Sequence, residues 1–198
     1  IKKIDQERIR QELDKNKIVL VAGFQGINRF GDVTTLGRGG SDTSAVALAA
    51  AFHADLCQIY TDVDGVYTTD PRIAPGARKL QEITYDEMLE LASQGAQVLH
   101  NRSVELAKKY HVNMEVVSSL ERKPGTKVKE VVKMEKTNIA GVAKDTSIAR
   151  IAVVGLAHNP GVAFKVFSLL GKARINVDAI IQSSGRTESE DISFTLPR

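Results

Sequence analysis

The chain has 198 residues, 42% of them hydrophobic and 26% charged, with a formal net charge of +3, the balance of an ordinary folded domain or pair of small domains. Its lysines and arginines are mixed with acids and form no basic patch interleaved with aromatics, which argues against nucleic acid as a partner. No apolar stretch approaches the ~20 residues that span a bilayer, and the lone Cys57 in an apolar run reads as a buried thiol in a reducing cytoplasm, with no membrane partner expected.

The chain opens on Ile1 rather than a start methionine, with no signal-peptide pattern, so it reads as beginning inside a longer sequence. Ile4 to Asn16 carries Ile4, Ile9 and Leu13 among charges, a surface helix. Lys17 to Phe24 (KIVLVAGF) is a β-branched apolar run that predicts a buried strand, and Asn28 to Gly37 a loop or short hairpin. An alanine-rich helix runs from Asp42 to His53, followed by a strand from Asp55 to Thr61. Apolar strands alternating with helices predict a parallel sheet covered by helices, an α/β fold.

Thr84 to Ser93 predicts a helix, with Thr84 and Glu87 at capping-box spacing. Asn101 to Tyr110 is a second amphipathic helix, Met114 to Val117 a strand, and the charged stretch Lys127 to Lys136 a bridge between domains. After it the order becomes strand Ile148 to Leu156, helix Pro160 to Lys172, strand Ile175 to Gln182 and strand Asp191 to Leu196. Pro160 is placed at the first turn of that helix. The expected domains are residues 1–130 and 131–198.

The most informative stretch is Gly37-Arg38-Gly39-Gly40-Ser41-Asp42. Its glycines allow positive φ and close approach of a bound group, and Arg38 offers a planar fork for a carboxylate or phosphate. Ser41 and Asp42 open a helix whose first amides face the same place, so the stretch describes an anion-binding turn. A second polar loop leaves the next strand as Thr61-Asp62-Val63-Asp64-Gly65-Val66-Tyr67-Thr68-Thr69-Asp70-Pro71-Arg72. It starts at a strand's carboxyl end, where ligands of open α/β sheets bind. No GxxxxGK[ST] or GxGxxG pattern occurs, which excludes a P-loop enzyme and leaves a fused dehydrogenase unsupported.

GRGGSD followed by TDVDGVYTTDPR resembles the aspartate kinases, and VVGLAHNPGVAFKVF with INVDAIIQ resembles the ACT domain that follows their kinase domain. The resemblance implies the C-terminal part of an amino-acid-kinase three-layer α/β/α domain, followed by a partial βαββ, ferredoxin-like ACT segment. It implies ATP-dependent phosphorylation of L-aspartate with Mg²⁺. Arg38, Gly39, Gly40 and Ser41 would hold aspartate, with Arg38, Ser41 and Asp42 carrying the catalytic roles. Thr61, Asp62, Tyr67, Thr68, Thr69, Asp70, Pro71, Arg72 and Gln97 would line the nucleotide site. His158, Asn159, Gly161, Val162, Ala163, Asn176, Val177, Asp178 and Gln182 would bind lysine or threonine as feedback effector. Asn176, Asp178 and Gln182 are expected on one face of a strand.

ACT pairing implies a homo-oligomer, a dimer in its simplest form, and no residue is assigned as a protein metal ligand. The chain departs from the family pattern in lacking an N-terminal Lys-Phe-Gly-Gly-Thr-Ser motif, in Gln97 where some relatives have lysine, and in His158 where some have an acid. The lack of that motif keeps open a non-catalytic, amino-acid-binding regulatory chain. A kinase for another carboxylate such as glutamate is disfavoured by the ACT segment.

Overall fold

The computed structural model describes residues 1, 3–96, 98–131, 139–157, 159–184 and 189–198. They form two compact units, Ile1–Lys144 and Asp145–Arg198. The boundary expected after residue 130 lies on the first unit's side of that division.

The first unit is built on a four-stranded sheet. β3 (Cys57–Thr61) pairs in parallel with β5 (Met114–Ser118), which runs antiparallel to β6 (Thr126–Lys129). β6 in turn is parallel to β4 (Glu82–Thr84), giving the order β3-β5-β6-β4. The remaining strands, β1 (Gln25–Ile27) and β2 (Val33–Thr35), form an antiparallel hairpin. The helices are α1 (Glu7–Leu13), α2 (Gly40–Phe52), α3 (Tyr85–Ser93) and α4 (Asn101–Tyr110).

α2 packs on α4 and β3, and α3 packs on α4, β4 and β6. Between these helices and the sheet lies the core of Val46, Ile83, Met88, Val104, Met114, Val116 and Val128. β3 alternates buried Cys57 and Ile59 with exposed Gln58 and Tyr60, so only one of its faces is covered. α3 starts as the capping-box spacing predicts: Thr84 Oγ1 accepts from the Glu87 amide, and Glu87 accepts from the Thr84 amide.

Two expectations change in this unit, and one strand is added. Lys17 to Phe24 is not a strand: it pairs with no described strand, its backbone hydrogen bonds to described residues fall only at its two ends, and Ile18 and Leu20 are 102% and 98% exposed. An apolar run becomes a strand only when a neighbour satisfies its amides and carbonyls. Lys127 to Lys129, the start of the expected charged bridge, belong instead to β6, because Lys127 and Lys129 alternate with buried Thr126 and Val128. β4 was not foreseen at all, since three residues carry too little periodicity to see.

The second unit has the expected βαββ order, β7 (Ile148–Ala157), α5 (Val162–Lys172), β8 (Ile180–Ser184) and β9 (Ser189–Pro197). Its sheet is antiparallel throughout, in the order β7-β9-β8. Phe167 on α5 meets Phe194 on β9 edge to face, with ring centroids 5.8 Å apart, beside buried Ile192. Gly161, not Pro160, caps α5, so the proline precedes the helix rather than forming its first turn. Asn176, Val177 and Asp178 lie ahead of β8, where the Asp178 amide donates to the Thr195 carbonyl and the Thr195 amide donates to Ala179. Two consecutive residues facing one partner break the two-residue alternation, so Asn176 and Asp178 do not continue Gln182's strand face as expected.

Candidate active site

The glycine-rich turn sits between the hairpin and α2. The Leu36 amide donates to the Phe24 carbonyl, the Gly40 amide closes a turn on Gly37, and Gly39 caps α2 in the left-handed region at φ 68°. Neither Ser41 nor Asp42 is the N-cap; both stand in the first turn of the helix, Ser41 exposed and Asp42 half-buried. Gly40 is buried as the first helical residue. Thr43 Oγ1 and Ser44 Oγ donate back to the carbonyls of Gly39 and Gly40 at 2.8 and 2.7 Å, which satisfies both hydroxyls within the first turn of the helix. Arg38 is exposed and, among the described residues, makes no hydrogen bond or ion pair. A guanidinium held on a braced turn with all its donors free is suited to an anion from outside the protein.

His53 to Leu56 reverse the chain between α2 and β3, so the start of α2 and the end of β3 lie at the same end of that pair. The second polar loop begins there. The Ser119 amide and hydroxyl both donate to the Thr61 carbonyl, and Thr61 Oγ1 donates to Asp62, whose side chain is exposed.

Further along, two residues that the sequence reading passed over hold the loop. Thr126 Oγ1 accepts from the Val66 amide at 2.8 Å and donates to the Leu80 carbonyl at 2.6 Å. Gly65 lies against it, where a Cβ would stand 2.6 Å from that oxygen. Lys79 Nζ donates to Asp64 Oδ2 at 3.2 Å and to the Pro124 carbonyl at 3.0 Å, tying the loop to the turn before β6. No motif marks Lys79 or Thr126; only the alternation around Val128 hinted at the second.

Tyr67 donates its hydroxyl to Asp64 at 3.0 Å and is half-buried. Burial works against ionisation of Asp64, but the Lys79 and Tyr67 hydrogen bonds together outweigh it and hold the carboxyl below its usual range. Tyr67 is pushed up, chiefly by its hydrogen bond to that carboxylate. Thr68 pairs through its amide with the Arg78 carbonyl, and Thr69 is half-buried. Asp70, Pro71 and Arg72 make an exposed turn in which Arg72 Nη2 and Nε donate to Asp70 at 2.8 and 3.0 Å. One edge of the Arg72 fork is therefore engaged within the loop, and Nη1 stays available. Gln97 lies outside the described residues.

In the second unit, the Val162 amide donates to the Asn159 carbonyl, and Gly161 at φ 90° turns the chain into α5 at Val162 and Ala163. Gln182 Nε2 donates to Glu190 at 2.7 Å across the sheet, while Asn176 and Asp178 are exposed and Val177 half-buried. The structure brings the loop residues Asn159 to Ala163 together but does not continue Gln182's strand face through Asp178 and Asn176, which precede β8. His158 lies outside the described residues.

The profile of the amino acid kinase family matches residues 1–118, and that of the ACT domain matches residues 151–198. The chain belongs to the amino acid kinase family. The aspartokinase of Bacillus sp. strain MGA3 is 54% identical over 194 residues, which cover 98% of this chain and 47% of that protein. The chain spans about half the length of the curated relatives it matches. Two crystal structures of aspartokinase III from E. coli are also similar. The one in complex with lysine and aspartate has TM-score 0.66 and 34% identity, over 88% of this chain and 38% of that one. The one in complex with aspartate and ADP has TM-score 0.62 and 33% identity, over 89% and 39%. The kinase-plus-ACT organisation implied by the sequence motifs is thus present, and neither unit holds a described helix long and apolar enough to cross a membrane.

Proposed function

We propose that this chain forms part of a cytoplasmic, feedback-regulated aspartate kinase. It transfers the γ-phosphoryl group of ATP to the side-chain carboxylate of L-aspartate, giving 4-phospho-L-aspartate and ADP, the first step toward lysine, threonine and methionine. The observation that carries this reading is the braced GRGGSD turn, with an unpartnered Arg38 at the start of α2. It is supported by the aspartate and nucleotide named in the complexes of the E. coli enzyme.

The aspartate carboxylate is ionised at neutral pH, with an unperturbed pKa of about 3.9, so the reaction needs no general base. What must be overcome is repulsion between two anions, by positioning and by neutralising charge. Arg38 forks onto the α-carboxylate, Gly39 and Gly40 present amides beside it, and Ser41 donates to a substrate carboxylate. Asp42 receives the substrate ammonium or orients cations. Thr61, Asp62 and the loop through Arg72 receive the nucleotide, with Tyr67 against the adenosine and Arg72 at phosphate. Mg²⁺, when bound with the nucleotide, supplies further neutralisation. The carboxylate of Asp42, without a hydrogen bond or ion pair among the described residues, and the exposed one of Asp62 suit an ion that takes most of its ligands from phosphate and water. Residues 1–130 belong to the kinase domain and 131–198 to the ACT domain, through which two copies pair and lysine or threonine acts as effector.

Arg38→Ala in the full-length enzyme tests the assignment. Removing a charged fork from a carboxylate costs about 2–4 kcal/mol, so aspartate KM rises steeply while ATP KM changes little. An unchanged aspartate KM removes Arg38 from the substrate site. If an intact enzyme binds lysine or threonine yet never phosphorylates aspartate, the regulatory-chain alternative stands instead.

A further inference from the structure

We propose that His100 and Arg102, at the start of α4, are positioning residues for the glycine-rich turn, and that they set how Arg38 is presented to aspartate. The inference rests on the aspartate kinase reading above. Two independent contacts join these elements, although they are more than sixty residues apart in sequence. Arg102 Nη1 donates to the Leu36 carbonyl at 3.1 Å, at the residue that enters the turn. The His100 ring occupies the space next to Gly39, where any Cβ would overlap its Cγ and Cβ atoms. Gly39 therefore meets two demands at once, a left-handed φ of 68° and the close approach of an imidazole.

The pair is itself held in place. His100 caps α4, its Nδ1 accepting from the Arg102 amide at 3.3 Å and its carbonyl accepting from Ser103 Oγ at 2.6 Å. α4 packs on α2, with Val104 and Ala107 buried. The turn carrying Arg38 is thus gripped on its entry side by a guanidinium and on its exit side by a ring, both mounted on one rigid helix. Placement matters because a charged fork held about 1 Å out of place loses much of its effect on a bound anion. Neither residue touches the proposed substrate; both act through the backbone of Leu36 and Gly39.

The test uses Arg102→Met and Arg102→Lys in the full-length kinase. Met keeps an unbranched stem and removes the donor, whereas Lys restores a donor. We expect Met to raise aspartate KM about tenfold with ATP KM within about twofold, and Lys to recover most of the loss. The effect should persist near 1 M salt, where the Debye length is about 3 Å and a distant guanidinium would no longer be felt. An aspartate KM within about twofold of wild type overturns the inference. So does an equal loss in both KM values, a Lys variant no better than Met, or an effect abolished by salt.

Gly39→Ala, alone and combined with His100→Ala, keeps the test open should Arg102→Met fail to fold. The double variant should bind aspartate better than Gly39→Ala alone, because the overlap with the ring is gone; a double variant no better overturns the grip. A wild type that does not phosphorylate aspartate removes the functional reading itself, and is recognised before any variant is compared.

Discussion

Arg38 and Arg72 carry the same side chain in opposite conditions. Arg38 has no partner among the described residues, whereas Arg72 spends two donors on Asp70, whose carboxyl is held below its usual range by that hydrogen bond. A free fork is ready for a ligand; a paired one must share or exchange its carboxylate. Cys57 illustrates a residue whose chemistry is suppressed. It is 7% exposed, and burial, with a smaller contribution from the Asp42 charge, pushes its thiol up to about 11. Because the folded value lies above that of a free thiol, the native protein keeps its proton where the unfolded chain loses it. Stability from this group is complete below the unfolded value and is lost as pH rises toward the folded one. At pH 8 the native thiol should react with iodoacetamide at least ~100-fold more slowly than the same chain in urea. Equal rates would mean that Cys57 is accessible and ionised.

At the scale of elements, Thr126 shows how one strand residue anchors a functional loop. Its buried hydroxyl satisfies the Val66 amide and the Leu80 carbonyl together. Thr126→Val keeps the shape and leaves both groups unpaired, which should cost about 1–3 kcal/mol in urea unfolding. It should also raise KM for ATP more than for aspartate. A cost below about 0.5 kcal/mol would mean that water replaces the hydroxyl. The sequence showed the helices well, because α3 announces itself by its capping box and α4 by the stripe of Val104, Leu106 and Ala107. It showed both loop motifs, since glycine, arginine and Asp-Pro patterns are local. It misread Lys17 to Phe24, because apolar content marks a tendency to be buried while a strand needs a partner that lies elsewhere in sequence. It missed Lys79, His100 and Arg102 as loop supports because their roles exist only across long separations, as between Arg102 and Leu36.

At the scale of the whole molecule, the second unit is a folded sheet with much of its apolar surface uncovered. No residue of α5 is buried, Phe164 is 76% exposed, and Ile181 on the β8 edge is 62% exposed. β7 and β8 are both edges of their sheet, and an edge with apolar neighbours pairs readily with another chain. In the aspartate kinase reading, the cover is a second ACT segment, and the effector's carboxylate sits at the amides around Gly161. Asp178 is exposed, with its backbone amide bonded to Thr195, and in that reading it is the residue proposed to meet the effector's ammonium. If the proposed feedback operates through aspartate affinity, the effector favours a kinase state that binds aspartate more weakly, and by linkage aspartate weakens effector binding by the same factor. Couplings of about 1–3 kcal/mol suffice for feedback control. Lysine and threonine, titrated singly and together on the full-length enzyme, should inhibit through at least one of them. Asp178→Ala should raise the half-inhibiting concentration about tenfold, the loss of one charged contact. Sedimentation should show that the effector tightens self-association, because a site completed by a second copy favours the paired form. Equal inhibition of wild type and Asp178→Ala would take Asp178 out of the site, and inhibition with no change in association would place the effector within a single copy.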